Sequence, residues 1–466
     1  VITLYISIVC VRIIVVYINR TETKSNLFSD NQSVEIIGTI ISEPEDKRTY
    51  WKYVVEGEPY GKLLIKEKKF IRTESENVIS SSNSLADVDH PFMGQKISAH
   101  IRIKKPEVII SDTGRTFDYE SYLDKDGIFY IGEASSVTLI EDTQKWTLMY
   151  MLFFVKNKFV ESIHNSLPSP HSLLATGLVI SGKGSMSKEL QEQFQRVGLI
   201  HIVVLSGSNI SIIGESIYRS LFFLPVLYRT VFGAISIVLF GTMVGGGATV
   251  VRSVIMALIG LYMKLTHRTN NALVSLIIAG TLMVLYNPKI IAHDPSFQLS
   301  FVATLGLILL SRPIEICIKK TRLHVSEFTT SLVSTSLATQ IFTLPLILSF
   351  SGVVSLSSLP VNILVLPIIP LIMFFVFLTG VISFIIPIAK IIPAFVSWFL
   401  LTYVLTLVEY VSGSTYSAIT FDHISNRYIF SLCIAIVLFT LLLRLYTSSH
   451  SGGSASPEYK INTTPV

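Results

Sequence analysis

From Trp146 onward the sequence is built of apolar runs of roughly 18–25 residues, long enough to cross a hydrocarbon core about 30 Å thick. No other feature restricts the fold so strongly. In lipid every backbone N–H and C=O must find a partner inside the protein, and runs of this length select helices. Candidate spans fall at 200–224, 230–248, 250–264, 271–287, 296–318, 328–350, 358–386, 390–412 and 428–446. The stretch 150–167 mixes Lys156, Lys158 and Glu161 with apolar residues at helical spacing, which fits an interfacial amphipathic helix. HSLLATGLVISG (171–182) is too short to span and reads as re-entrant or half-buried. SKELQEQFQRVGL (187–199) reads as a polar helix capped by Ser187.

The charge is divided unevenly. Residues 19–145 carry 17 basic and 22 acidic side chains, net −5, whereas 146–466 carry 19 and 10, net +9. The polar domain therefore has no bulk signature of nucleic-acid binding. In the apolar half the lysines and arginines concentrate at Lys264/Arg268 and Arg312/Lys319/Lys320/Arg322. The positive-inside rule places both loops in the cytoplasm, the loop 413–427 outside and the tail after Arg444 inside. Cys10, Cys317 and Cys433 all fall in apolar segments, so no disulfide framework is expected.

The fold class that follows is a polytopic α-helical membrane protein with an N-terminal all-β, OB-like soluble domain. Residues 1–18 form an apolar run without a basic n-region or cleavage site, read as a transmembrane anchor. The start without Met points to a GTG codon or a missing N-terminal piece. In 19–145, VEIIGTIISEP, KYVVEG, KLLIKEKKF and KISAHIRIKK alternate with period two between turn residues, as in a small barrel. The basic residues of KLLIKEKKF and HIRIKK could face a nucleic-acid backbone, but the solvated face of half-buried strands is the favoured reading. A transmembrane domain occupies 146–447, and the polar tail 448–466 is expected to be disordered.

Five stretches break the apolar runs: SGSN (206–209), GTMVGGGATVVRS (241–253), AHDPSFQLS (292–300), ATQIFTLP (338–345) and SLSSLPVNILVLP (355–367). Discontinuous helices bearing polar residues build transport sites near the bilayer midplane, and an intramembrane charge is a functional candidate. Each has a plainer reading. Arg252 can snorkel, Asp294 with Pro295 can cap a helix, and the glycines can serve close packing. The ten histidines include no pair within four positions, and LSGSN lacks the second glycine of a nucleophile elbow. No catalytic residue, metal ligand or cofactor is assigned.

Taken together, the breaks resemble the ComEC family, the membrane channel of bacterial natural competence. GLIHIVVLSGSNISII resembles its GxxHxxxxSGxN/H helix, and GGGATVVRSVIMALI its small-residue run followed by Arg. DPSFQLSFVATLGLILL is close to its most specific phrase, QIFTLPLILSFSGVVSLSSLPVNILVLPIIPL matches its Gln…Pro…Ser…Asn…Pro segment, and TFDYESYLDKDGI matches the phrase closing its OB-like domain. The order and spacing hold over roughly 30–410. The resemblance implies a channel for uptake of single-stranded DNA through the cytoplasmic membrane, with the OB-like domain outside. It implies channel-lining roles for His201, Ser206, Gly207, Asn209, Arg252, Asp294, Phe297, Gln298, Gln340 and Asn362. Many members carry a C-terminal metallo-β-lactamase-like domain, which this sequence lacks up to Val466. That leaves the nuclease step, if any, to another protein or a missing segment. The partners the resemblance implies beside single-stranded DNA and the lipid bilayer are a separate nuclease, a DNA receptor and a cytoplasmic translocation ATPase. A transporter of a small anion or lipid precursor, or a non-transporting envelope scaffold, are the alternatives.

Overall fold

A computed structural model of the chain describes residues 30–47, 49–68, 93–110, 115–141, 148–180, 186–203, 207–269, 271–321, 326–386, 388–421 and 424–450. The described residues form two compact units, the first holding those up to Ile109 and from Thr116 to Phe154, the second Ile110, Arg115 and those from Val155 on.

The first unit is a β-barrel. Its strands are β1 (Ser33–Ile40), β2 (Glu45–Asp46), β3 (Tyr50–Gly57), β4 (Gly61–Lys68), β5 (Lys96–Lys104), β6 (Ile109–Ile110), β7 (Thr116–Phe117) and β8 (Ile128–Glu141). The main sheet runs β1-β5-β8-β4-β3-β2, and β1 also pairs with β3 through Thr39↔Glu56 and Ile40↔Val55, closing the barrel. Among the described residues only β4 and β8 pair in parallel. Five principal strands closed in this order are an OB-like topology. Period-two alternation sends Ile97, Ala99, Ile101 and Ile103 of β5 inward, with Ile36, Ile40, Tyr53, Val55, Leu63 and Ile65. At the closure a Cβ on Gly38 would collide with Val55 and the Glu56 backbone, so glycine permits the crossing. Helix α1 (Tyr119–Asp124) is capped by Asp118, which accepts from the Ser121 N–H at 2.9 Å, and it packs Leu123 over Leu64, Ile128 and Ile131. This is the DYESYLD phrase.

The second unit is helical. Its elements are α2 (Leu148–His164, from Val155 on), α3 (His171–Ile180), α4 (Lys188–Arg196), α5 (Ile200–Val203), α6 (Gly207–Ser220), α7 (Val226–Val244), α8 (Ala248–Leu265), α9 (Ala272–Tyr286), α10 (Ile290–His293), α11 (Pro295–Lys320), α12 (Glu327–Phe350), α13 (Ser358–Val365), α14 (Ile369–Ile385), α15 (Ile391–Ser412) and α16 (Asn426–His450). Strands β9 (Val353–Ser355) and β10 (Ala418–Thr420) pair beside α13. Six helices are long and apolar enough to cross a membrane among the described residues, and a seventh if α13 and α14, bent by 50°, form one broken span. Their outward faces are apolar: Phe430, Ile434, Leu438 and Leu442 of α16 are exposed, as lipid-facing residues are. The chain is a polytopic helical membrane protein with an N-terminal OB-like barrel.

Three sequence expectations meet detail here. Within the stretch 200–224 the described residues form α5 and the 14-residue α6, which ends at Ser220; 204–206 lie outside the described residues. The short α3 is nearly all buried, packed in the core with α13, α14 and α15, because its residues are small or aliphatic on every side. Ser187 caps α4 as expected, accepting from the Leu190 N–H at 3.1 Å. The three consecutive glycines 245–247 turn the chain between α7 and α8, with Gly245 and Gly246 at φ +106° and +59°. That pair of left-handed residues is why the stretch needs glycine.

Candidate substrate path and a cationic row

The GLIHIVVLSGSN segment ties together distant parts of the membrane unit. At its start Gly198, at φ +78°, lies so close to Ser355 and Ser358 that a Cβ there would overlap the Ser358 side chain. The His201 ring nitrogen Nδ1 is 3.0 Å from the Gly198 carbonyl, so this histidine closes its own turn. At its end, buried Asn209 donates from Nδ2 to the Leu178 carbonyl at 3.0 Å. Asn209 thus ties α6 to the α3 backbone inside an apolar core.

Gly207 begins α6. A methyl group there would stand 2.5 Å from Arg252 Nη2 and from Ser253 Oγ, so a side chain at this position would displace the arginine. Arg252, one turn into α8, is 8% exposed. Its Nε donates to Ser300 Oγ of α11 at 2.7 Å, and Nη1 lies 3.4 Å from Met256 Sδ. No carboxylate among the described residues lies within 4.0 Å of it. Three of the five broken stretches, SGSN, GGGATVVRS and DPSFQLS, therefore meet at one guanidinium. Ser300 was not singled out in the sequence; its place two residues after Gln298 is the signal that was there to read.

The remaining residues have other surroundings. Asp294 accepts from the Ser296 and Phe297 N–H groups at 2.9 and 3.3 Å and caps α11. Phe297 stacks on Phe301 at 4.2 Å between centroids and packs against Val251, Ile255 and Met283. Gln298 donates to the carbonyls of Ile291 and Ala292, the open end of α10. Gln340 on α12 and Asn362 on α13 each keep one buried amide atom, Nε2 and Oδ1, without a hydrogen-bond partner among the described residues. Ser206 lies outside the described residues. The structure thus joins Gly207 and Arg252, puts Asp294, Phe297 and Gln298 into the start of α11, and keeps Gln340 without a hydrogen bond to any of them.

The barrel carries a second arrangement. Cross-strand register aligns Lys52 of β3 with Lys66 of β4, Lys66 with Glu133 of β8, and Glu133 with Arg102 of β5. Lys104 donates to Glu133 at 3.0 Å, and the hydrogen bond from Lys104, then the charges of Lys104, Lys66 and Lys68, hold the Glu133 carboxyl below its ordinary range. A row of cations around one carboxylate thus crosses four strands on a domain that is acidic overall. Strands lie about 4.8 Å apart, so the row is about 14 Å long. Among the described residues no group of three His, Cys, Asp or Glu is placed to hold a metal ion.

The Competence protein family matches residues 178–446. ComE operon protein 3 of Bacillus subtilis (strain 168) is 21% identical over 253 residues, 54% of this chain and 31% of that protein. An uncharacterized protein of Aquifex aeolicus (strain VF5) is 28% identical over 234 residues, 49% of this chain and 51% of its own. The matched part thus spans about a third to a half of these relatives, and no solved structure matches. With more than half its length matched, including Gly198, Gly207, Arg252 and Ser300, the chain belongs to the Competence protein family.

Proposed function

We propose that the membrane unit forms a path for single-stranded DNA across the cytoplasmic membrane during natural transformation, with the barrel on the outer side. The observation that carries this reading is Arg252: a buried guanidinium with a hydroxyl and a thioether for neighbours, placed against Gly207 of α6. Holding such a charge in an apolar unit costs about 2.5–3.5 kcal/mol on insertion scales. Passing phosphates offset that cost, because each brings the anion the site lacks. Family membership supports the reading, as does likeness to a protein named for the ComE operon. The cationic row supports it too, since single-strand binding combines backbone charge with base stacking.

Transformation frequency tests the reading. Arg252→Lys keeps the point charge and should retain part of the activity, whereas Arg252→Gln should lose it by roughly tenfold or more, equal to at least about 1.4 kcal/mol. Membrane insertion should be unchanged in both. Normal transformation by Arg252→Gln would sink the proposal. For orientation, a cysteine at Lys68 should react with an impermeant thiol reagent in intact cells; reaction only after lysis reverses the topology. The buried guanidinium would serve a small anion as well, and uptake saturable by such a solute but indifferent to DNA favours that second reading.

A further inference from the structure

At one end of the α7–α8 hairpin, two cations stand on a single aromatic ring. Arg229, in the first turn of α7, has Cζ 4.3 Å from the centroid of Tyr218 on α6, and Lys264, in the last turn of α8, has Nζ 4.7 Å from it. Tyr218 is buried. Glu215 accepts from Lys264 at 2.7 Å and from Arg219 at 3.0 Å. The cluster therefore holds three cations and one anion, and Glu215 is already shared by two of them. Among the described residues no carboxylate lies within 4.0 Å of Arg229, and its buried Nε has no hydrogen-bond partner.

Thr230 is a second, independent sign. It is 6% exposed, and its hydroxyl has no hydrogen-bond partner among the described residues. Helical threonines elsewhere in this chain bond the carbonyl four residues back, as Thr242, Thr281, Thr304 and Thr339 do. Thr230 departs from that habit beside the unpaired arginine. A guanidinium N–H, a hydroxyl and an ammonium within one turn of two helices are the donor set for the oxygens of a phosphodiester. The fringe decides its source. Phe222 (77% exposed), Phe223, Leu227 and Tyr228 form an apolar, aromatic border at the end of two membrane-crossing helices. Such a border suits acyl chains and an interfacial headgroup, whereas a nucleic-acid strand calls for further cations along its path.

We propose that Arg229, Thr230 and Lys264 bind the headgroup phosphate of an anionic phospholipid at the membrane interface. The site is separate from Arg252 and does not rest on the DNA path. The test uses the purified full chain in neutral detergent with phosphatidylglycerol or phosphatidylcholine added, bound lipid being counted by native mass spectrometry. Phosphatidylglycerol should be retained and phosphatidylcholine not. Arg229→Gln should weaken phosphatidylglycerol roughly tenfold, Thr230→Val by a smaller factor, and Arg229→Lys least, the order expected for losing a charge-assisted bond, a neutral one, and geometry alone. Arg312→Gln, removing an exposed cation elsewhere, should change nothing. If Arg229→Gln fails to fold, Thr230→Val and Arg229→Lys still decide the matter. Equal retention in all variants overturns the site. Glycerol phosphate binding as tightly as the lipid removes the membrane from it, and an oligonucleotide that displaces phosphatidylglycerol and depends on Arg229 makes it a nucleic-acid contact instead.

Discussion

Two arginines show how differently the two units handle charge. Arg102 stands on the barrel surface in register with Glu133, next in line to Lys66 and Lys52. Arg252 is buried in the membrane unit and leans on the hydroxyl of Ser300. In water a cation needs no dedicated partner, and an exposed ion pair contributes about 0–1 kcal/mol. The barrel can therefore gather or disperse surface charge with little effect on its fold. Its stability lies in the alternating aliphatic side chains inside. Within an apolar unit the position is reversed: packing tolerates many shapes, while each buried charge or amide must be answered by a specific group. One kind of residue thus tells little in the first unit and much in the second.

The comparison breaks most visibly if the barrel core is not the sensitive part of its unit. Ile65 is fully buried, so Ile65→Ala should destabilise the barrel by about 2–5 kcal/mol in denaturant unfolding of the solubilised full chain. Neighbouring Lys66→Ala should stay within about 0.5 kcal/mol. Comparable losses from both would place a structural charge where only a solvated one is expected. In the membrane unit Gly207→Val should act through charge. The new side chain collides with Arg252 and Ser253, an overpacking worth about 1–3 kcal/mol in thermal unfolding, and transformation should fall further than that loss of folded protein explains. Ser300→Ala sharpens the same point at smaller scale: it leaves the Arg252 Nε without its acceptor, a loss of about 1–3 kcal/mol, with no cavity of any size. If Ser300→Ala leaves both stability and transformation at the level of the unaltered protein, the guanidinium is held by something other than this bond.

How much of this was open to reading from the sequence follows the same division. In the barrel, period two in KISAHIRIKK placed the core residues of β5 directly, because a strand offers only two faces. The cationic row was not legible, since register between β3, β4, β8 and β5 depends on closure far along the chain. In the membrane unit, length and hydropathy marked where helices run, and SGSN marked a break. Neither says that Gly207 faces Arg252, because a side chain 45 residues away is brought there by helix packing that apolar sequence hardly specifies. Asp294 is the instructive residue among the candidates. A charge at membrane depth invites a functional reading, but Asp-Pro is also a helix-start signal, and in the structure the carboxylate caps α11.

The cationic row gives the smallest effects and the finest test, since it asks whether surface charge on the barrel does anything beyond solvation. For the full chain binding a fluorescent oligothymidylate, Lys52→Gln and Lys66→Gln should each flatten the dependence of affinity on salt by about 0.7 in the log–log slope if they meet phosphates. Slopes unchanged by both would return the row to the status of a solvated face. Glu133 should act in the opposite sense. As the anion among these cations it competes with phosphate, so Glu133→Gln should tighten oligothymidylate binding by about twofold at neutral pH, the scale of an exposed pair. Acid should do the same to the unaltered protein, but late. The Lys104 hydrogen bond and the nearby lysines keep Glu133 ionised below the ordinary carboxylate value of 4.5. A folded value below the unfolded one means that the stabilisation from Glu133 is complete above that range and is lost as pH falls through it. Binding should therefore tighten only below about pH 4.5, where barrel stability begins to decline, and Glu133→Gln should remove the rise. A rise that survives in Glu133→Gln belongs to another carboxylate, and the row then binds nothing that Glu133 opposes.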